Sequence, residues 1–480
     1  MSSLWIVFCL YLAMILLLGE LAGRLKVRSL DEYLLSGRRQ GTAGTAATIA
    51  ATVIGAGSTL GAAGVAYFVG LSAGWYLLSA VPGLLLLGLT LAPAIRRLAV
   101  YTVPEYLERR YGPAAGGLAA LLGVLALVLF LAAQLYAMGR LLAELTGLAP
   151  TVALVLSAIT VVLYTWRGGN WAVHWSDSLQ LVWIYAGILI ATAAGLRAVG
   201  GLGELSPPPP AAGFEALGAT WFHPLTRRSV SGWDPLALGN TVVAWIIMST
   251  TWHFAMQSTA QRVLAARDPG VARRACLLAA AAIVPLAILV GLSGMTARVL
   301  DPALAPTRGA EQVAALPALI SGVVSPLFGG VVLAALVAVI MSTCDSALLG
   351  ASTVVVRDLL PRVRPTVRDD LAAIRLTRHL VLGIGVLALA GALVAPGLVR
   401  MLELVAAIYG VALFGPLIVG LFWRGVTQAG AVAAMVSSGA VGVGWRGLGL
   451  EAATGIHMLN LCLPVSLFAL VLISLHSRSR

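Results

Sequence analysis

The sequence has few charged residues: 10% of its 480 residues are Asp, Glu, Lys or Arg, whereas 60% are hydrophobic. Soluble domains carry about 25% charged residues, so this scarcity excludes an ordinary soluble protein. No hydrophilic stretch is long enough to form a second globular domain. Apolar runs of about 20 residues recur, as in transmembrane helices, in place of the short alternating segments of a membrane β-barrel. We therefore predict one all-α polytopic membrane domain over residues 1–480.

Cysteine is also scarce, and its distribution excludes a disulfide framework or a cysteine-based metal centre. Cys9, Cys276, Cys344 and Cys462 lie in separate apolar runs and show no metal-ligand spacing. The apolar N-terminus lacks the basic leader and the clear cleavage motif of a secretory signal peptide. We therefore predict that it forms an uncleaved first helix.

The apolar runs predict about 13 membrane-spanning helices joined by loops of unequal charge. Loops on one side hold 23 of the 31 basic residues, and loops on the other side hold 8. Because basic residues accumulate in cytoplasmic loops, we predict a multi-pass plasma-membrane protein with its N-terminus outside and its C-terminus in the cytoplasm. The same bias explains the net charge of +12 without a nucleic-acid partner. The predicted spans are 4–20, 43–70, 72–98, 114–142, 149–166, 173–196, 237–256, 272–296, 322–352, 376–395, 398–422, 427–447 and 456–475.

The most informative run is 336–357, LVAVIMSTCDSALLGASTVVVR, because polar residues interrupt an otherwise apolar span. These are Ser342, Thr343, Asp345 and Ser346. A carboxylate without a partner is costly in hydrocarbon, so it usually faces protein, water or an ion. Hydroxyl and carboxylate oxygens are the ligands that small hard cations prefer. The hydroxyls could instead bond back to their own helix or join two helices, but Asp345 favours an ion site.

Two further spans show signs of a helix that is interrupted inside the membrane. The second span contains four glycines between residues 55 and 64, which either allow close helix packing or mark an unwound stretch. The seventh span has a polar centre in which Trp252 is either a packing residue or a cavity wall, and His253 either an interior residue or a ligand. Because these spans lie five apart, they occupy corresponding positions of a five-plus-five repeat, which favours unwinding.

Two acidic residues near the predicted span ends leave their roles open. Asp177 could cap the sixth span at its positive end or coordinate an ion. Glu403 lies near the outer edge of its span, where pairing with Arg400 or contact with water is favoured over a place in the binding site.

The chain resembles the sodium:solute symporter family, which includes proline, sugar, pantothenate and sialic acid carriers. The resemblance covers nearly the whole length and depends on the order and spacing of several motifs. These are DEYLLSGR (31–38), ATVIGAGSTLGAAGVAYFVG (51–70), YTVPEYLERRYG (101–112), RGGNWAVHWSDSLQ (167–180), QRVLAARD (261–268), MSTCDSALLGAS (341–352) and LFWRGVTQAGA (421–431).

The resemblance implies a leucine-transporter fold that works by sodium-driven alternating access. Ten core helices would form an inverted repeat, with one extra helix before them and two after. The first repeat would cover about 43–200 and the second about 237–422.

The resemblance also implies where sodium binds. The main site would take backbone carbonyls of Ala51, Ile54 and Val339 and the hydroxyls of Ser342 and Thr343. Val339 replaces a smaller residue of the family, but only its carbonyl is needed. A second site would use Asp177 with Ser342, Asp345 and Ser346. Asp345 departs from the serine found there in the family, so the second site could hold an ion more tightly or hold a proton.

A substrate cavity is implied beside the sodium site. Sugar carriers have amides and acids at several of these positions, so the departures here argue against a sugar. We expect a small amino acid or a monocarboxylate, with its carboxylate held by freed amides near residues 55–58. The implied lining residues are Val53, Gly57, Ser58, Trp75, Tyr76, Ser249, Trp252 and His253.

The expected function is symport of sodium and a small solute across a lipid bilayer. Two other classes of function compete with it. A membrane-embedded hydrolase could use Ser58, but GAGSTLG lacks the glycine of a GxSxG elbow and no HExxH motif is present. A sensor or channel could retain the fold, but no soluble kinase or ligand domain is attached. We therefore expect a transporter and no enzyme. The sequence carries no signal for the oligomeric state.

Overall fold

The computed structural model is helical throughout the residues it describes, which are 2–205, 235–302, 304, 315–363, 369–395 and 398–478. Within them, the β-structure consists of one isolated bridge between Gln40 and Ala266. The proline-rich stretch 207–210, predicted above as an outer loop, lies outside the described residues. The helices are α1 (Ser2–Lys26), α2 (Leu30–Leu35), α3 (Thr42–Val53), α4 (Ala62–Val69), α5 (Trp75–Leu78), α6 (Ala80–Leu86), α7 (Ala92–Leu98), α8 (Val103–Tyr111), α9 (Pro113–Thr146), α10 (Pro150–Val199), α11 (Pro235–Ala255), α12 (Gln257–Ala265), α13 (Pro269–Leu300), α14 (Ala315–Gly322), α15 (Pro326–Val354), α16 (Leu360–Val363), α17 (Asp370–Leu393), α18 (Leu398–Val405), α19 (Ala412–Phe422), α20 (Gln428–Gly447), α21 (Leu450–Thr454) and α22 (Met458–Arg478).

The described helices include nine stretches that are long and apolar enough to cross a membrane, and one bent pair that could form a tenth. They establish a multi-pass membrane protein, while the count of 13 spans stays a prediction. The predicted spans 149–166 and 173–196 lie in α10, which Gly169 (φ 56°, ψ −150°) divides because its backbone is not helical. The two parts, residues 150–168 and 170–199, are about 30 and 45 Å long at 1.5 Å per residue, so each is long enough to cross a bilayer core. The break predicted between these two spans is therefore present, but no loop separates them.

The second predicted span is broken, as the unwinding hypothesis requires. Helix α3 ends at Val53, and Ile54 leaves the helical region with φ −82° and ψ 86°. The chain resumes as one wide π-type turn over Gly57–Gly61 and continues into α4. The two halves meet at an angle of 62°. The break leaves backbone groups between them without their usual helical partners.

The seventh predicted span, 237–256, is not interrupted at its polar centre, because α11 runs unbroken to Ala255. A second break follows directly at the end of this span, where Met256 adopts an extended conformation (φ −64°, ψ 126°) and α12 begins at Gln257. The interruption predicted inside the span is therefore displaced to its last residue.

Helix α15 forms the centre of the molecule and packs against α1, α3, α9 and α10. It is buried along almost its whole length from Gly329 to Val354. Peripheral helices such as α1 and α22 expose leucines and phenylalanines instead, among them Leu10, Leu17 and Phe468. An apolar outer surface around a buried helix is the arrangement expected in a bilayer.

At one end of the molecule, which we call the arginine-rich end, hydrogen bonds join the segments next to α3 and α12 and so close this end. The Gln40 N–H donates to the Ala265 carbonyl at 3.1 Å, and the Arg267 N–H donates to the Gln40 carbonyl at 3.0 Å. The Arg96 guanidinium donates to the carbonyls of Ala266 (2.5 Å) and Arg267 (3.0 Å). The residues before α3 are thereby tied to those after α12.

Candidate functional site

Helix α15 meets the end of α3 through backbone and hydroxyl oxygens. The Ser342 hydroxyl lies 3.0 Å from the Ala51 carbonyl and 3.0 Å from the Val339 carbonyl, to which the Thr343 hydroxyl also donates at 3.0 Å. Ile54 is the first residue of the break. All five residues are fully buried.

The break itself lies against Thr343. A Cβ atom placed on Gly55 would be 3.2 Å from the Thr343 hydroxyl, so the unwound backbone and the α15 hydroxyls are in close contact. Carbonyl and hydroxyl oxygens suit hard cations such as sodium. Within the described residues there is no group of three or more His, Cys, Asp or Glu side chains that could hold a metal ion.

A second buried group of polar side chains lies around Asp177 and Asp345. The Tyr164 hydroxyl forms a short hydrogen bond with one Asp345 oxygen, and the Ser346 hydroxyl lies 3.1 Å from the other. Asp177 accepts a hydrogen bond of 2.7 Å from the Thr48 hydroxyl. The structure thus collects the residues predicted for the second ion site at the centre of the bundle.

This group also contains Arg262, which the sequence assigned to a loop. Its side chain is fully buried in α12, 3.6 Å from the Asp177 carboxylate. It donates to Thr48 at 2.8 Å, to Asn170 at 3.3 Å and to Ser346. Arg262 follows the seventh predicted span closely and was therefore counted among the basic residues of the loops, which was wrong. After the break at Met256, α12 carries this side chain into the interior.

The capping role considered for Asp177 is also wrong. Helix α10 continues from its kink at Gly169 past Asp177, which therefore lies more than two turns inside the helix. Its carboxylate contacts side chains of α3 and α12 instead.

A cavity lies beside the break in α3 and encloses about 560 Å³ of space free of protein atoms, including its mouth. Seven of the eight predicted substrate residues line it; Trp75 does not. The sequence missed Phe130, Gln134 and Leu402, because no local pattern distinguishes them from core residues. The lining residues are Thr52, Val53, Gly55, Gly57, Ser58, Tyr76, Leu77, Ala80, Phe130, Gln134, Met248, Ser249, Trp252, His253, Leu402 and Ala406.

Two amides freed by the break are bound within the protein. The Gly55 N–H donates to the Ser58 hydroxyl at 2.9 Å, and the Ala56 N–H donates to the Gln134 side-chain oxygen at 3.0 Å. The Ser58 hydroxyl in turn lies 3.0 Å from the Gly55 carbonyl. The Gly55 and Ala56 amides are therefore not free for the solute carboxylate that the sequence assigned to this segment.

Glu403 pairs with residues of the C-terminal helices. Its carboxylate accepts a hydrogen bond of 2.6 Å from Arg446 and lies 3.3 Å from the His457 ring. Glu451 lies 3.7 Å from the same ring. The cluster joins α18 to α20 and α21, and the Arg400 side chain, expected as a partner, lies outside the described part of the structure.

Comparison with known protein families identifies one family whose model matches most of the chain. The model of the sodium:solute symporter family matches residues 33–438. The chain is similar to the sodium/pantothenate symporter of Escherichia coli (27% identity, covering 85% of this chain and 83% of the relative). It is also similar to the sodium/proline symporter of E. coli (25% identity, covering 93% and 88%).

Solved structures give the same fold. A sodium-coupled sialic acid symporter in a substrate-bound outward-open state has a TM-score of 0.81 at 20% identity and covers 99% of this chain, which covers 98% of it. A nucleobase-cation-symport-1 family transporter in a closed conformation has a TM-score of 0.61 at 14% identity, with 93% and 95% covered. The fold is therefore of the leucine-transporter type.

Proposed function

Because this chain belongs to the sodium:solute symporter family, we propose that it is a secondary active transporter that couples sodium entry to the uptake of a small organic solute by alternating access. The observation that carries this proposal is the contact of Ser342 with the Ala51 carbonyl at the broken helix. A breach of helical structure in the membrane is costly unless the freed groups find partners, and here they line an oxygen-rich site beside a cavity.

We assign the main sodium site to the carbonyls of Ala51, Ile54 and Val339 and the hydroxyls of Ser342 and Thr343. Sodium would join α3 to α15 by replacing hydrogen bonds that those oxygens now make with one another. If the ion binds the outward-open state more tightly, it shifts the population toward that state. At 100 mV, one inward positive charge adds about 2.3 kcal/mol of driving force.

We assign a second cation, taken to be sodium, to Asp177, Asp345 and Ser346. Two carboxylates and the single Arg262 guanidinium share this buried region. With both carboxylates ionised, one negative charge is left over in a place where an uncompensated charge is costly. A single monovalent cation balances it.

The solute is a small amino acid or a monocarboxylate held in the cavity beside the break. In the part of the chain that the structure describes, the lining includes three aromatic side chains, Tyr76, Phe130 and Trp252, and no charged side chain. A sugar would require more polar partners. The arginine-rich end faces the cytoplasm of the cell, which places the N-terminus outside and the C-terminus inside.

We also propose that the protein transports its solute without covalent chemistry. The Ser58 hydroxyl, which a hydrolase would use, is engaged with the Gly55 amide and carbonyl of the break. Its position supports a structural and binding role.

Uptake into proteoliposomes tests the function. Solute flux should follow an inward sodium gradient and fall to background when potassium or choline replaces sodium. Ser342→Ala with Thr343→Ala should remove the sodium dependence, because each lost oxygen contact to an ion is worth ~1.5–3 kcal/mol, or roughly 10- to 100-fold in affinity. Sodium-independent flux, or normal coupling in the double variant, would refute the proposal.

A further inference from the structure

The cavity beside the broken helix offers hydrogen-bond donors and few free acceptors. The Gly55 carbonyl accepts from the Ser58 and Thr59 hydroxyls, both at 3.0 Å. The Val53 carbonyl accepts a longer bond of 3.4 Å from Ser58. These two backbone acceptors at the break are therefore already used within the protein.

Gln134 is oriented by the break so that its donor group remains available. Its side-chain oxygen accepts from the Ala56 N–H at 3.0 Å, which fixes which end of the amide faces the backbone. The NH₂ group, with two N–H donors, is left on a residue that lines the cavity.

His253 supplies the second donor. Its side chain is 93% buried, it lines the cavity, and its Nδ1 is buried without a hydrogen-bond partner in the described part of the chain. A buried N–H without a partner is rarer in proteins than an unpaired acceptor, so the proton belongs on Nε2. Nε2 is then an N–H donor on a residue that lines the cavity.

Among the described residues, no side chain that lines the cavity is a carboxylate, a lysine or an arginine. A solute ammonium would lose its water without gaining a counter-charge or free carbonyls, which is strongly unfavourable. A carboxylate would find the N–H groups of Gln134 and His253, and Trp252, whose indole carries a further N–H, also lines the cavity. Its negative charge would be balanced by sodium bound on the other side of residues 51–55.

We infer that the solute is a small carboxylate without a free ammonium group, whose oxygens accept hydrogen bonds from Gln134 and His253. Its apolar part contacts Val53, Phe130 and Met248, which line the same cavity. This inference rests on the proposed function, since it narrows the solute of that symporter from two classes to one.

A matched set of probes tests the inference on the purified full chain. Cyclopentanecarboxylate, propionate and 2-methylpropanoate are the acids, proline adds an amine to a similar ring, and pyrrolidine has the amine alone. Tetramethylammonium tests the attraction of the aromatic rings for a cation. Thermal stabilisation is measured with each probe in sodium chloride and in potassium chloride of equal ionic strength.

We expect at least one acid to stabilise the protein in sodium and not in potassium, because linked ligands strengthen each other's binding. Proline should bind at least 10-fold more weakly than the best acid, and pyrrolidine and tetramethylammonium should give no shift. Equal or tighter binding of proline, binding of either cation, or binding of none of the acids would overturn the inference.

Stabilisation by sodium alone separates the proposed symport from the proposed carboxylate solute. If sodium alone does not stabilise the protein, the result counts against symport. If sodium stabilises the protein but no acid binds, the result counts only against the carboxylate solute.

Three variants test whether Gln134 and His253 bind the carboxylate. Gln134→Glu keeps an oxygen for the Ala56 amide but exchanges the NH₂ donor for a negative oxygen, so acid binding at pH 8 should fall at least 10-fold. His253→Phe should do the same, and His253→Gln, which restores an N–H donor, should recover part of it. Stabilisation by sodium alone should persist in all three variants. Unchanged acid affinity in Gln134→Glu and His253→Phe would overturn the assignment.

Discussion

The Arg262 guanidinium is the charge on which the buried polar group around Asp177 depends. Its removal leaves Asp177 without its cation and withdraws donors from Thr48 and Ser346. Breaking a buried ion pair from one side costs about 3–5 kcal/mol. We expect Arg262→Gln to lower the thermal unfolding temperature clearly in detergent.

Arg267→Gln is the control for this prediction. The Arg267 side chain is 64% exposed, so this change should alter stability by less than about 0.5 kcal/mol. Equal unfolding temperatures in the two variants would contradict this account of Arg262.

His457 gives the protein a pH-dependent contribution to stability. Burial lowers the pKa of His457, but the hydrogen bond and charge of Glu403, together with Glu451, raise it, and the net pKa lies above its ordinary value. The contribution is therefore complete below the unfolded-state pKa of about 6.5 and is lost as pH rises through the folded-state pKa. We expect the unfolding temperature to fall between pH 6 and pH 9, and to fall less in His457→Gln. The same pH profile in both proteins would rule out this contribution.

Single residues show how far the sequence could identify the site. Ser342, Thr343 and Asp345 were visible because polar groups are rare in an apolar span. The structure places Ser342 and Thr343 beside the break and Asp345 in the second buried polar group. Gln134 and Arg262 were not, because their roles depend on two helix breaks that bring distant segments together. Trp75 was assigned to the cavity from the resemblance, and the cavity lining does not include it.

At the scale of elements, the kink in α10 depends on one glycine. Gly169 has φ +56°, and a Cβ atom there would lie 2.6 Å from the Tyr33 carbonyl. Both the backbone strain and the clash act against any side chain. We expect Gly169→Ala to lower stability by at least about 1–3 kcal/mol.

Gly383 in α17 is the matched control, because a Cβ atom there meets nothing within 4 Å. Gly383→Ala should leave stability unchanged or raise it by about 0.5–1 kcal/mol, since alanine favours the helix. Thermal unfolding of both variants makes the comparison. A Gly169→Ala protein as stable as the Gly383→Ala protein would mean that the kink does not require glycine.

The helices themselves were largely predictable, and their joints were less so. Apolar length predicted α9, α13 and α22 to within a few residues. Glycine clustering predicted the break after α3. The sequence predicted a break between two spans at 167–172, and the non-helical Gly169 lies within it. The apolar runs did not show that the two helices would meet at this residue without a loop.

At the scale of the whole molecule, the closed arginine-rich end fits a transporter whose opposite end gives access to the cavity. The closure depends on the backbone pairing at Gln40, which Arg96 supports by binding the carbonyls of Ala266 and Arg267. We expect Arg96→Ala to speed amide hydrogen exchange at Gln40 and Arg267 about 10-fold, because local opening becomes easier. Arg97→Ala, at the exposed neighbouring position, is the control. Equal exchange in the two variants would show that Arg96 does not hold this end closed.

The proposed sodium site at the break concerns all three scales, since the ion would link single oxygens, two helices and the transport cycle. Equilibrium binding of radioactive sodium to the purified protein measures it directly. The account predicts saturable binding that excess potassium does not displace, and a clear loss of binding in Ser342→Ala with Thr343→Ala. Sodium binding of unchanged affinity and amount in that double variant would contradict it.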